Sequence, residues 1–306
     1  MVSSTPNFEA ELDRQLGFTI PGRHARGRLV RIGPVLDQVL AAHGYPPAIE
    51  KVLAEALALT ALLGSTLKGD QGQMTLQAQT ESGVIELLVC DYRAGEVRGY
   101  VKFDADRLAE VPADPTLFAL FGKGYLAITF DQAVSGERYQ GIVPLEGTSL
   151  AEAAENYFCQ SEQIPSIIRL AAAQGGAGGC RAGGMLLQHL PEGEEGRERL
   201  HTRLDHPEWE HVRMLGETIS VEELTDPALP LETIVWRLFN EEDEVRLLGG
   251  QVLTRGCRCD VAHIGSVIGK FPEDERAAMA GDDGIIRVDC AFCARSFPIP
   301  LAEAGE

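Results

Sequence analysis

Met74-Thr-Leu-Gln-Ala-Gln-Thr80 alternates apolar and polar residues without a break, and after Glu81-Ser82-Gly83 the chain continues Val84-Ile-Glu-Leu-Leu-Val-Cys90. Alternation at period two is the pattern of a half-buried strand, and two such runs across a short turn read as an antiparallel hairpin. Working outward, Arg28-Leu-Val-Arg-Ile32 has the same alternation, and residues 97–103, 126–130 and 139–143 supply further strands. Residues 34–43 and 48–67 have helical spacing instead, with Leu53, Leu57 and Leu63 on one buried stripe. A helix is predicted from Ser149, with Glu152 at the third position of a capping box, running through Ala154 and Tyr157 to Gln160. Residues 167–173 and 185–190 read as two strands around a glycine-rich turn. Strands and helices do not alternate regularly, so a doubly wound nucleotide fold fits poorly. The expected class is α+β, with a mostly antiparallel sheet and packed helices over residues 1–191.

The 306 residues suffice for one large domain or two modest ones, and a 44% hydrophobic content is ordinary for a globular chain. The formal net charge of -19 repels phosphate backbones and anionic bilayers, so neither nucleic acid nor membrane is an expected partner. The longest apolar stretch, residues 52–67, is short for a bilayer span and carries Glu55. The first residues contain acid where a secretory signal has a basic region, so a cytoplasmic location is expected. In that compartment seven cysteines are not a disulfide scaffold. Clustered ones point to a metal or to redox chemistry, and isolated ones to small buried hydrophobes.

The character changes at residue 192. Residues 192–250 hold 16 acidic and 6 basic side chains, a net of -10. Apolar residues persist at helical spacing: Leu200 and Leu204; Trp209, Val212 and Leu215; Ile234, Val235, Leu238 and Phe239. Short amphipathic helices are predicted, broken at Pro207, Pro227 and Pro230, with no core of their own. Residues 192–253 are therefore read as an acidic helical linker. Residues 254–306 form a small C-terminal unit that needs a staple to fold.

Four cysteines supply one. Cys257-x-Cys259 and Cys290-x-x-Cys293 stand 30 residues apart, two close pairs suited to one tetrahedral zinc ion. His263 is an alternative fourth ligand. A static zinc ribbon and a redox switch both fit this spacing. Residues two apart in extended backbone have Cα atoms about 6–7 Å apart, at the edge of disulfide reach, while Cys-x-x-Cys closes readily. Cys90 and Cys159 sit in apolar patterns and are expected to be buried, and Cys180 to lie on an exposed turn beside a cation. Two rival functions use the same residues. One is a zinc-ribbon nucleic-acid or transcription-associated module with a basic face around Arg23, Arg26, Arg28 and Arg31. The other is a thiol-disulfide oxidoreductase using Cys290 and Cys293, for which a strand-to-helix context is missing. Residues 175–184 are glycine-rich but carry no phosphate-loop motif.

The chain resembles the redox-regulated 33 kDa heat-shock chaperone family (heat shock protein 33). The resemblance is carried by the two cysteine pairs at their separation and by Tyr157-Phe-Cys-Gln-Ser-Glu-Gln-Ile-Pro165. Ala182-Gly-Gly-Met-Leu-Leu-Gln188, Leu67-Lys68 with Gly72-Gln-Met-Thr-Leu-Gln77, and Arg98-Gly-Tyr100 also match. It implies an ATP-independent holdase rather than an enzyme. In the reduced state one Zn2+ on Cys257, Cys259, Cys290 and Cys293 keeps it inactive. Oxidation pairs Cys257 with Cys259 and Cys290 with Cys293, zinc is released, the C-terminal unit and linker unfold, and a homodimer captures unfolding client proteins. Trp209, Leu215, Trp236 and Phe239 are the apolar linker residues expected to become exposed and to contact clients.

Overall fold

Residues 12–67, 72–113, 115–132, 136–174, 179–190 and 206–302 are described in the computed structural model of the chain. The strands are β1 (Arg14–Ile20), β2 (Ala25–Ile32), β3 (Gln73–Thr80), β4 (Ile85–Arg93), β5 (Glu96–Phe103), β6 (Gly124–Gln132), β7 (Glu137–Pro144), β8 (Ser166–Ala173), β9 (Arg181–His189), β10 (Arg246–Val252), β11 (Thr254–Arg255), β12 (Ile285–Asp289) and β13 (Ser296–Pro300). The helices are α1 (Pro34–Leu40), α2 (Pro47–Gly64), α3 (Ala105–Leu108), α4 (Leu117–Phe121), α5 (Leu150–Tyr157), α6 (Pro207–Glu217), α7 (Val221–Thr225), α8 (Leu231–Phe239), α9 (Val261–Ile268) and α10 (Glu273–Met279). The class is the α+β one expected, with one sheet ordered β10-β1-β2-β9-β8, a second ordered β11-β5-β4-β3-β6-β7, and a small β12-β13 ladder.

The hairpin that decided the class is β3 with β4, in the register Met74↔Tyr92 through Gln79↔Leu87. Every ladder is antiparallel except the short pairing of β11 with β5. Helix α2 lies between the two large sheets. Its first turns carry Glu50, Lys51 and Glu55, but from Ala56 to Gly64 it is buried on every side, and the helix packs in one core with Val30, Ile32 and Leu186 of the first sheet and Leu76, Leu88 and Ile128 of the second. A helical stretch buried on every side belongs in a core, which explains why residues 52–67, Glu55 apart, look almost membrane-like in sequence. No helix among the described residues is long and apolar enough to cross a membrane.

The opposite face of the first sheet carries Leu16, Phe18, Leu29, Met185 and Leu187, and α6, α7 and α8 cover it with Trp209, Val212, Leu224, Ile234, Val235 and Phe239. The acidic segment thus shares a core with the sheet. A Cβ at Gly183 would come within 2.2 Å of the Leu224 carbonyl, so the α7 backbone seats directly on β9. Arg31, fully buried on β2, donates to three linker carbonyls: Nε to Leu224 (3.0 Å), Nη1 to Leu229 (2.6 Å) and Nη2 to Glu223 (2.9 Å). Burial lowers its pKa to about 10, which leaves the guanidinium charged at neutral pH and in need of those acceptors.

Several expectations change. Pro207 begins a helix, with His206 as the cap accepting from the Glu208 amide. The acidic segment ends in a strand, β10, which pairs with β1; neither strand was anticipated. Trp236 is 66% exposed while α8 is docked, so its exposure does not wait on release. Cys159 is exposed, because α5 passes into a π-turn over Phe158–Glu162 that turns the thiol outward. The box at Ser149 is half formed: its hydroxyl accepts from the Glu152 amide, but the Glu152 carboxylate accepts from Thr148. The basic cluster is no open face. Arg31 is buried, Arg23 is paired with Glu208 and Glu242, Arg26 donates to Gln188, and Arg28 is half-buried. Leu200, Leu204 and part of the glycine-rich turn lie outside the described residues.

Replacing Arg31 with Met should leave three buried carbonyls unpaired and cost about 3 kcal/mol of linker docking. Protease cleavage within residues 206–240 of the reduced protein should then quicken about a hundredfold. Cleavage at the wild-type rate would contradict the assigned role of Arg31.

Candidate metal centre

Two turns present the four thiols. Cys257 and Cys259 follow β11, where the Thr254 amide donates to Gly95 and the Gly256 amide to Val97. A Cβ at Gly256 would lie 2.6 Å from the Glu96 Cβ, so this approach to β5 requires glycine. Cys290 and Cys293 occupy the turn between β12 and β13, closed by the Cys290 amide donating to Arg295 (3.0 Å) and the Ala294 amide donating to Cys290 (2.8 Å). A strand follows this Cys-x-x-Cys, where a thioredoxin-like redox pair would have a helix.

The four Sγ atoms lie within 4.8 Å of one another. Cys257 to Cys259 is 3.0 Å, Cys257 to Cys290 is 3.7 Å and Cys259 to Cys293 is 3.6 Å. A tetrahedron with metal–sulfur bonds of about 2.3 Å has edges of about 3.8 Å, so two of these distances already match a thiolate-bound ion and the set can hold one metal. All four are free thiols. His263 does not join the cluster.

The environment divides the thiols electrically. Burial pushes Cys257 and Cys259 up, and neighbouring thiols add to the rise at Cys259. Burial also acts on Cys293, but the backbone and guanidinium of Arg295 and the thiols of Cys257 and Cys259 outweigh it and bring it to about 6. One sulfur is therefore anionic near neutral pH, a starting ligand for a cation.

Phe292, between two of the ligands, docks the centre onto the second sheet. The Arg98 guanidinium lies 3.9 Å from its ring centroid, the Tyr100 ring meets it edge-on at 5.0 Å, and its carbonyl lies 3.3 Å from His43 Nε2. Arg98 is fixed by Asp91 through Nη2 (2.6 Å) and Nε (2.8 Å). Beneath the turns, the apolar cluster of the C-terminal unit has three buried side chains among the described residues, Ile268, Ile286 and Ile299. Phe292 was not singled out from sequence; an aromatic inside a ligand pair is the signal that could have found it. Of the other cysteines, Cys90 is buried as expected and Cys180 is half-buried, its amide donating to Asp37. Among the linker residues expected to meet clients, Trp209 and Phe239 are buried, Leu215 is half-buried and Trp236 is exposed, all remote in sequence from the thiols.

Fold and centre together define an α+β protein with a docked acidic segment and four clustered thiols able to hold a metal ion. Comparison with known proteins narrows this class. The family model described as "Hsp33 protein" matches residues 13–299. A 33 kDa chaperonin of Caulobacter vibrioides is 41% identical over 289 residues, covering 92% of this chain and 93% of the relative. One from Yersinia pestis is 38% identical over 285 residues, covering 92% and 91%. The crystal structure of a 33 kDa chaperonin (heat shock protein 33 homolog) from Thermotoga maritima superposes with a TM-score of 0.78 at 22% identity, covering 95% of this chain and 96% of that one. The chain belongs to the Hsp33 family.

Phe292→Ala removes a docking contact and no ligand. The capacity of the four thiols to hold a metal ion should not change, while amide exchange at Thr254 and Gly256 quickens about tenfold, the loss expected for one cation–π and one aromatic contact. Unchanged protection of those two amides would contradict the docking role.

Proposed function

We propose that this protein is an ATP-independent holdase whose four-thiol centre, holding one Zn2+, keeps it inactive until oxidation. The observation that carries this reading is the meeting of four free thiols at the seam where a poorly enclosed unit docks onto the body. Bound zinc would supply on the order of 10 kcal/mol of folding free energy to that unit. The thiolates hold the ion, Phe292 and β11 transmit the folded geometry to β5, and β10 continues it to β1 and the linker.

Oxidation within each close pair, Cys257 with Cys259 and Cys290 with Cys293, removes all four thiolates. In each pair an S–S bond forms as the O–O bond of one hydrogen peroxide breaks; the two electrons from the thiolates and two protons from solvent convert the peroxide to two waters. Pairing within each pair leaves the intervening 30-residue loop open. Cross-pairing, which the 3.6 and 3.7 Å separations also allow, would keep the loop closed and replace one staple with another. Only local pairing unlocks the unit. Loss of β11 and β10 then frees α6 to α8. Trp209, Leu215 and Phe239, with the sheet face beneath them, become apolar surface for unfolding proteins, in a homodimer kept soluble by dense negative charge. Trp236 adds to that surface without being uncovered by it. The acidity fits a cytoplasmic protein that avoids nucleic acid and membranes.

Aggregation of a heated model client should be suppressed only after treatment with peroxide at raised temperature. About four thiols should disappear, zinc should be released, and peptide mapping should find the two local disulfides. Protection by the reduced zinc form, or zinc retained beside full protection, would contradict the switch; turnover of a small disulfide would favour an oxidoreductase.

A further inference from the structure

The sheet face beneath the linker is not simply apolar. Arg14 and Arg31 share it with Leu16, Phe18 and Leu29, since alternate residues of β1 and β2 point the same way. Arg169 of β8 lies on that face beside Ile167 and Ala171, and Arg23 stands at its end in the turn joining β1 to β2. Each of these arginines is met by the linker. Arg14 Nη2 donates to Glu232 at 2.6 Å, with both side chains largely buried. Arg23 is paired with Glu208 and, at 2.7 Å through Nε, with Glu242. Arg169 Nη2 lies 3.5 Å from Glu217, and Arg169 also reaches Glu155 of the body. Arg31 holds the three carbonyls around α7. The linker that seats there is an amphipathic helical segment with carboxylates at the margin of its apolar stripe.

We propose that this arginine-rimmed apolar face, which residues 206–242 cover, selects its clients by charge, taking amphipathic segments that carry carboxylates beside their apolar residues. The inference rests on the holdase reading and adds the class of segment bound. An apolar floor alone captures any exposed hydrophobic run; four guanidinium groups around it favour segments that return four carboxylates or carbonyls in their place. A basic amphipathic segment of equal hydrophobicity meets like charge at each corner and is disfavoured.

The test uses full-length protein and two labelled peptides spanning residues 206–242. One has the native sequence. The other carries Glu208→Gln, Glu217→Gln, Glu232→Gln and Glu242→Gln. Fluorescence anisotropy should show the oxidised protein binding the native peptide about tenfold more tightly at low salt, the sum expected of four ion pairs of a few tenths of a kcal/mol each. The gap should close in about 1 M salt, where the screening length falls to roughly 3 Å. The reduced zinc form should bind neither peptide. The double variant Arg14→Gln, Arg23→Gln, once oxidised, should lose most of the preference while still binding. The tethered linker competes equally with both peptides, so the ratio is unaffected. Equal affinities at low salt would overturn charge selection. Suppression of client aggregation without binding of the native peptide would overturn the assignment of this face and leave the holdase reading standing. Absence of both would overturn the two together.

Discussion

The acidic helices have one place to bury their apolar residues, and it is not within themselves. Trp209, Val212, Ile234, Val235 and Phe239 are buried in one cluster with Leu16, Phe18, Leu29, Met185 and Leu187 of the five-stranded sheet. Arg31 makes the dock specific by committing a buried cation to three linker carbonyls. Such an arrangement has two stable outcomes. Either the segment lies on the sheet with all of these groups satisfied, or it leaves and both surfaces face water. The contacts internal to the segment are mostly surface ion pairs such as Arg213 with Glu210 and Arg237 with Glu223, which contribute little to an intermediate state.

The thiol centre bears on that choice through a short stretch of chain. The C-terminal unit encloses three isoleucines fully, too little to order it without a cross-link. It touches the body through β11 on β5 and through Phe292 between Arg98 and Tyr100. One residue separates β11 from β10: Leu253, buried in the central core with its amide donating to Asp13. β10 in turn is tied by Gln251 to Tyr92 and Gln15, joining both large sheets at one polar cluster. On the proposed function, holding four sulfurs together would hold the end of the linker, and parting them would release it.

Much of this was legible in the residues. The β3–β4 hairpin, the strands of the second sheet and the buried α2 declare themselves by period, because their patterns answer to a core on known sides. The cysteine pairs declare the centre because few other arrangements need thiols at that spacing. What stayed hidden depends on partners distant in sequence. β10 exposes nearly all its side chains and so shows no alternation; it is a strand because β1 offers an edge. Arg31 looks like a surface cation until α7 is laid over it. Pro207 reads as a breaker or a helix start with equal ease, and the His206 cap decides for the start. Trp236 shares a helix with Phe239, yet α8 turns one inward and the other to solvent. Phe292 is visible only once Arg98 and Tyr100 are in place.

The two tryptophans of the chain allow the coupling to be observed directly, since Trp209 is 2% exposed and Trp236 is 66% exposed. In a Trp236→Phe variant, Trp209 emission reports linker docking alone, and it can be followed while zinc release is recorded in the same sample. Blue-shifted emission in the reduced zinc form, moving to the red in step with zinc release on oxidation, is the result expected if the thiol centre governs the dock. Trp209 emission that stays blue after all zinc has been released would show that the linker does not depend on the centre.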